Sequence, residues 1–207
     1  SAKACHAMKK TPFTFHLGVS IFGLAFMLMS SLLLSGCKED ISTEAYATKT
    51  EPTLIDKIDE KSDELSSIRK LLDEVKLGNK SNSSSMTSVL SARGNYTVFA
   101  PNDEAVKQCV IELTGDETGN IESLSYEQKQ LIVLNCIIDN GDASAYESVE
   151  FPTSNQTFAL SNLNNRRLKC MQDAESHDYF INGDATSGSR VVETDYECTN
   201  GMLHVVS

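Results

Sequence analysis

The chain has 207 residues, 40% of them hydrophobic, and a formal net charge of −11. An acidic chain repels phosphate backbones and anionic lipid, which excludes nucleic-acid binding and electrostatic attachment to a membrane. The absence of tryptophan weakens a stacked-sugar platform without excluding one built from Tyr126, Tyr146 or Tyr179.

At the N-terminus, Lys9 and Lys10 precede a mostly apolar run from about Phe13 to Leu34. This is the charged segment and apolar core of an export leader. The run is long enough to cross a bilayer as a retained helix. It ends, however, on Leu34-Ser35-Gly36-Cys37, which resembles the lipobox of bacterial lipoproteins. Small residues at 35 and 36 enter a peptidase site, and the Cys37 thiol accepts the lipid. The resemblance implies a signal peptide over 1–36, with residues 1–7 lying upstream of Met8 and foreign to the leader. It also implies lipidation of Cys37 and a membrane as partner through that lipid alone. Two or three acyl chains anchor stably where a single one is marginal.

Residues 37–51 hold the lipidated cysteine and a polar tether without hydrophobic periodicity, able to reach at most roughly 45–50 Å. Its opening Lys38-Glu39-Asp40 resembles a surface-export signal of some Gram-negative lipoproteins, and reads equally well as ordinary linker charge. The expected location is the outer membrane, facing the cell exterior, with the periplasmic face as the alternative.

One folded domain is expected over 52–207. Pro52 and Thr53 open a helical region in which Leu65, Ile68, Leu71, Leu72 and Val75 form an apolar stripe. Gly78 to Ser85 is a polar surface loop. Thr97-Val98-Phe99-Ala100 is a strand broken by Pro101, after which Asn102 caps a helix whose first turn holds Asp103 and Glu104, where the dipole favours acids. Ser125-Tyr126-Glu127-Gln128 is a capping box feeding Leu131-Ile132-Val133-Leu134, a helix expected to be largely buried. From Phe158 onward the pattern turns to short strands at 166–170, 179–181, 190–193 and 202–206, adjoined by the turn dipeptides Asn182-Gly183 and Asn200-Gly201. Helices first and strands last indicate an α+β domain.

Two segments are more specific than these physical roles require. Thr97-Val98-Phe99-Ala100-Pro101-Asn102-Asp103-Glu104-Ala105 resembles the first conserved box of the fasciclin (FAS1) family, and Asn200-Gly201-Met202-Leu203-His204-Val205 is similar to its second. The resemblance implies a wedge-shaped β-sandwich flanked by several α-helices. It further implies a non-catalytic adhesion or binding role toward cell surfaces, matrix, glycans or cell-envelope proteins. An accessory binding subunit of an outer-membrane glycan-uptake system is the alternative. Where the family's central helix often carries Tyr-His, this chain has Asn135-Cys136, so receptor recognition known for some animal members is not carried over. The family's last strand usually runs several residues beyond the position of Ser207, which suggests more strand or another domain beyond it.

Asn102, Asp103 and Glu104 read as capping residues ahead of a binding edge, and His204, inside an apolar strand, as a structural imidazole. His177 lies among polar neighbours; two separated histidines suggest no metal site, and no cofactor is expected. Gly183 to Ser189 has the glycine spacing of a phosphate loop but lacks its lysine, and reads as a plain loop. Cys109, Cys136, Cys170 and Cys198 permit two disulfides in an exported protein or four buried thiols; sequence leaves both open. No catalytic residue is expected: no Cys-x-x-Cys is present, and no nucleophile is flagged beside either histidine.

Overall fold

The computed structural model describes residues 51–78 and 83–207. The leader, Cys37, the tether and the middle of the 78–85 loop lie outside the described residues.

Helix α1 (Leu54–Glu60) starts at a capping box in which Thr53 Oγ1 accepts from the Asp56 N–H at 3.2 Å and the Asp56 carboxylate accepts from the Thr53 N–H at 2.9 Å. Helix α2 (Ser62–Glu74) follows after Lys61 alone and buries Leu65, Ile68, Leu71 and Leu72, the stripe expected from their spacing. It kinks at Leu65, where the backbone leaves helical angles (φ −117°, ψ 20°). Strands β1 (Lys76–Leu77) and β2 (Ser84–Ser85) then pair antiparallel. Ser84 and Ser85 are thus strand rather than loop, and the Ser85 hydroxyl also caps α3 (Met86–Ser91) by accepting from the Ser88 N–H.

Strand β3 (Tyr96–Pro101) leads into α4 (Asp103–Thr114), which ends on Gly115 in the left-handed conformation (φ 73°) with its N–H on the Ile111 carbonyl. Helix α5 (Tyr126–Asn135) has the expected Ser125–Gln128 capping box. Of the apolar run behind the expectation of a largely buried helix, Ile132, Val133 and Leu134 are buried and Leu131 is 40% exposed. Consecutive residues fan out by about 100° around a helix, so four in a row cannot share one face. Lys129, polar in sequence, is buried instead and pairs with Glu74 at 2.6 Å across to α2.

Strands β4 (Ile137–Asp139), β5 (Gln156–Thr157), β6 (Lys169–Gln172), β7 (Tyr179–Ile181), β8 (Ser189–Cys198) and β9 (Gly201–Val206) complete a seven-stranded sheet with β3, in the order β4-β3-β9-β8-β7-β6-β5. All neighbours are antiparallel except β3 and β9, which run parallel with Tyr96 opposite Gly201 and Pro101 opposite Val206.

The strand expected at 166–170 starts late. The Asn162 side chain accepts from the N–H groups of Asn164 and Arg166, turning the chain there instead of releasing it to a ladder. Strand β8 runs longer than expected because shifts in register around Glu193, with Asp195 at φ 64°, let it bend along β9 without breaking.

Every residue of β9 is buried because both faces of the sheet are covered. Val98, Ala100, Leu203 and Val205 face the helices in one core. Phe99 and Val206 face a second core built on Phe151, Phe158, Leu168 and Ile181. Alternation of side chains along a strand distributes one apolar sequence between two layers.

Candidate functional site

The family-like boxes lie side by side on β3 and β9, so the structure brings the two sequence-distant segments together. Most of their polar side chains are committed to the fold. The buried Thr97 hydroxyl donates to Asn140 Oδ1 at 2.9 Å and accepts from the Tyr146 N–H at 2.8 Å. Asn102 Oδ1 accepts from the Ala105 N–H at 2.9 Å, as expected of the cap. Glu104 is exposed and accepts from Gln108 one turn on.

Asp103 does more than favour a helix dipole. Its carboxylate accepts from the Ser67 N–H at 2.7 Å and the Ser66 hydroxyl at 2.8 Å, just past the kink in α2. It thereby satisfies backbone freed by the kink and ties α4 to α2. Burial acts to raise its pKa, but the bonds from Ser67 and Ser66 outweigh that and hold the carboxyl below its ordinary value. Stability from a depressed carboxyl is present above the unfolded value near about 4 and is lost as pH falls through the folded one. Asp103→Asn is therefore expected to cost about 1.5–2 kcal/mol near neutral pH, measured by urea denaturation. That difference should shrink as the pH is lowered below about 4.

In the second box, Asn200 Oδ1 accepts from the Leu54 N–H at 2.9 Å, while its amide donates to the carbonyls of Leu90 at 2.6 Å and Ala92 at 2.9 Å. Its own carbonyl accepts from the Tyr96 N–H. One buried side chain thus joins the start of α1, the end of α3 and the β8–β9 turn. Gly201 has φ 152°, and a Cβ there would lie 2.0 Å from the Tyr96 carbonyl oxygen.

His204 is fully buried and stacks on Phe99 with ring centroids 5.2 Å apart. Its Nδ1 accepts from the Asp195 N–H at 3.2 Å, so the neutral ring carries its proton on Nε2, which donates to the Tyr146 carbonyl at 2.9 Å. Burial lowers its pKa, against the upward pull of the Tyr146 carbonyl and Asp195. The Ser148 hydroxyl nearby donates to Asp195 and not to the imidazole. With both nitrogens held by backbone groups, the ring is not placed to act as a base. His177 stands apart in a turn at φ 63°. Among the described residues no group of three His, Cys, Asp or Glu side chains is gathered to hold a metal ion.

The four cysteines are free thiols, so the two disulfides that the sequence allowed are not formed in the structure. Cys170 and Cys198 are buried in separate cores, while Cys109 and Cys136 are neighbours between α4 and α5. Burial pushes the thiols of Cys136 and Cys170 up to about 12 and that of Cys198 to about 11. Asn135 and Cys136 also have local partners: the Asn135 side-chain oxygen accepts from the amides of Asn162 and Asn164, and the Cys136 thiol donates to the Ile132 carbonyl. The three tyrosines considered for a sugar platform are divided. Tyr146 and Tyr179 pack on Phe158 and Phe151, while Tyr126 stands on the first turn of α5 with its hydroxyl accepting from the Lys76 N–H.

Sequence reading missed a groove of about 260 Å³ between α4, α5 and the sheet. Val106, Cys109 and Leu113 form one wall, Leu131 and Ile132 the other, and Phe99, Ile181 and Val206 part of the lining from the sheet. Leu113 and Leu131, 37% and 40% exposed, stand at this groove. A second recess lined by Arg166, Arg167 and Lys169 shares Asn135, Leu168 and Asn182 with it. No sequence spacing reveals a site drawn from elements so far apart in the chain.

Among the described residues no helix is long and apolar enough to cross a membrane. Cys37 and its leader lie outside the described residues.

A family described as the fasciclin domain matches residues 63–207. Among solved structures, a FAS1 domain pair from the insect cell adhesion molecule fasciclin I is similar, with 17% identity and a TM-score of 0.54. The alignment covers 76% of this chain and 50% of that one, so the chain spans about half the length of the insect structure. No curated protein matches the sequence. With the family matched over most of the chain and the same fold in the insect adhesion molecule, this chain belongs to the fasciclin domain family.

Proposed function

We propose that this protein is a non-catalytic binding module, held on the outer membrane by lipid on Cys37 and displayed toward the cell exterior. Its partner is a glycan or a cell-envelope or surface protein. The observation that carries the reading is the fasciclin domain over residues 63–207, a domain type associated with adhesion and binding. The lipobox-like Leu34-Ser35-Gly36-Cys37 supports the anchor, and the acidic balance of the chain supports lipid over charge as the means of attachment. The wiring of His204 also favours binding over hydrolysis, since its ring nitrogens are occupied by backbone groups.

Weak single-site contacts suit a module of this kind, because many copies on one membrane bind together. The anchor is tested by Cys37→Ser followed by membrane fractionation and labelling with a fatty-acid analogue. The expected outcome is soluble protein or unprocessed precursor without label. Membrane protein still carrying label would contradict the assignment. Protease added to intact cells should remove the domain, and full protection would place it on the periplasmic face.

A further inference from the structure

The basic residues of this acidic chain are unevenly partnered. Lys57, Lys61, Arg69, Lys129 and Arg190 each meet a carboxylate. Arg166, Arg167 and Lys169 are exposed, fall within four residues of one another, and line one recess. None of the three makes an ion pair among the described residues. Nor do they serve the end of α5, because the Asn135 and Cys136 carbonyls already accept from the Asn162 amide and the Phe99 N–H. A cluster of unpaired cations in a chain of net charge −11 is a local anion-attracting spot.

The recess is continuous with the apolar groove through Asn135, Leu168 and Asn182. The groove's lining is mainly apolar, and its rim exposes two leucines to water. An apolar cavity of roughly 150 Å³ takes benzene, so about 260 Å³ holds an apolar group of roughly ten carbons. Apolar space and a fixed cluster of positive charge, joined end to end, match a molecule with those two parts in the same order. A two-chain lipid exceeds this volume, and the acidic chain repels an anionic bilayer; both features favour a free monomer.

We propose that the groove and recess form one site for a free anionic amphiphile: a chain or ring system of roughly ten carbons in the groove, with its carboxylate on Arg166, Arg167 and Lys169. The site takes a small molecule and rests on observations apart from the adhesion reading. Its failure would leave the adhesion reading standing, and the converse also holds.

The test is calorimetric titration of the chain from Lys38 onward, since residues 49–207 form one compact unit, with sodium decanoate below its micelle-forming concentration. Saturable binding of one equivalent is expected. Acetate should not saturate, and 1-decanol should bind at least about tenfold more weakly than decanoate. The triple variant Arg166→Ser, Arg167→Ser, Lys169→Ser should lose about tenfold or more in affinity; its three side chains are exposed, so the fold is expected to persist. Ala105→Phe, which fills the groove from α4, should abolish binding, and Leu131→Ser at the rim provides a second groove variant if Ala105→Phe does not fold. Absence of saturable decanoate binding would overturn the proposal. So would equal affinity for decanol, equal affinity in the triple variant, or undiminished binding in the folded groove variants.

Discussion

Gly201→Ala is expected to destabilise the domain by about 4–5 kcal/mol, a large fraction of the roughly 5–15 kcal/mol that holds a domain folded. The Cβ that alanine adds would stand 2.0 Å from the Tyr96 carbonyl oxygen and 2.8 Å from its carbonyl carbon and nitrogen, all backbone atoms that no rotamer change can move aside. Gly201 also sits at φ 152°, a conformation that L-residues rarely adopt. Relief would require β9 to withdraw from β3, and the parallel pairing of these strands joins the helical core to the aromatic one. Far-UV circular dichroism and urea denaturation measure the effect. A variant within about 1 kcal/mol of the parent would show that the approach of Tyr96 to Gly201 is not a constraint.

Asn200→Ala has the second-largest expected effect, about 3–4 kcal/mol by the same denaturation measurement. The substitution removes three hydrogen bonds and strands the Leu54 N–H and the Leu90 carbonyl in the interior. A buried group left without its partner costs about 1–3 kcal/mol, more than the bond itself contributes. Asn200→Asp should be little better, because a carboxylate can accept from Leu54 but cannot donate to Leu90 or Ala92. Native-state hydrogen exchange should show the loss first at the start of α1 and the end of α3, the segments this side chain joins.

Much of the fold was legible because local rules and tertiary needs coincide. Thr53, Ser85, Asn102 and Ser125 all act as helix caps, and three of them open segments that the sequence marks as helical. The stripe from Leu65 to Leu72 faces the core at the spacing that identified it. Departures arise where a side chain replaces a ladder or where periodicity carries a residue outward. The Asn162 side chain turns the chain at 162–166, and one step around α5 puts Leu131 at the surface. Lys129 is buried because its charge has Glu74 opposite, and sequence distance hides that partner.

The site was less legible than the fold. The two boxes identify the family, yet their structural roles depend on residues more than one hundred positions away, as in the bond from Asn200 to Leu54. Capping accounted for Asn102, but the kink at Leu65, which gives Asp103 its second role, has no mark in the sequence. The groove and its cations come from α4, α5 and the segment 166–169 that leads into β6, and only folding makes them neighbours.

These roles assign the polar side chains of the two boxes mainly to holding the domain together, and the proposed partner has still to be met at the surface. The most direct test is capture from intact cells by the purified chain from Lys38 onward, scored against glycan arrays and envelope proteins across a salt series. The account predicts saturable retention of a defined glycan or envelope protein that persists at high salt, where exposed charge contacts are screened. Recovery of only non-saturable, salt-sensitive material would contradict it.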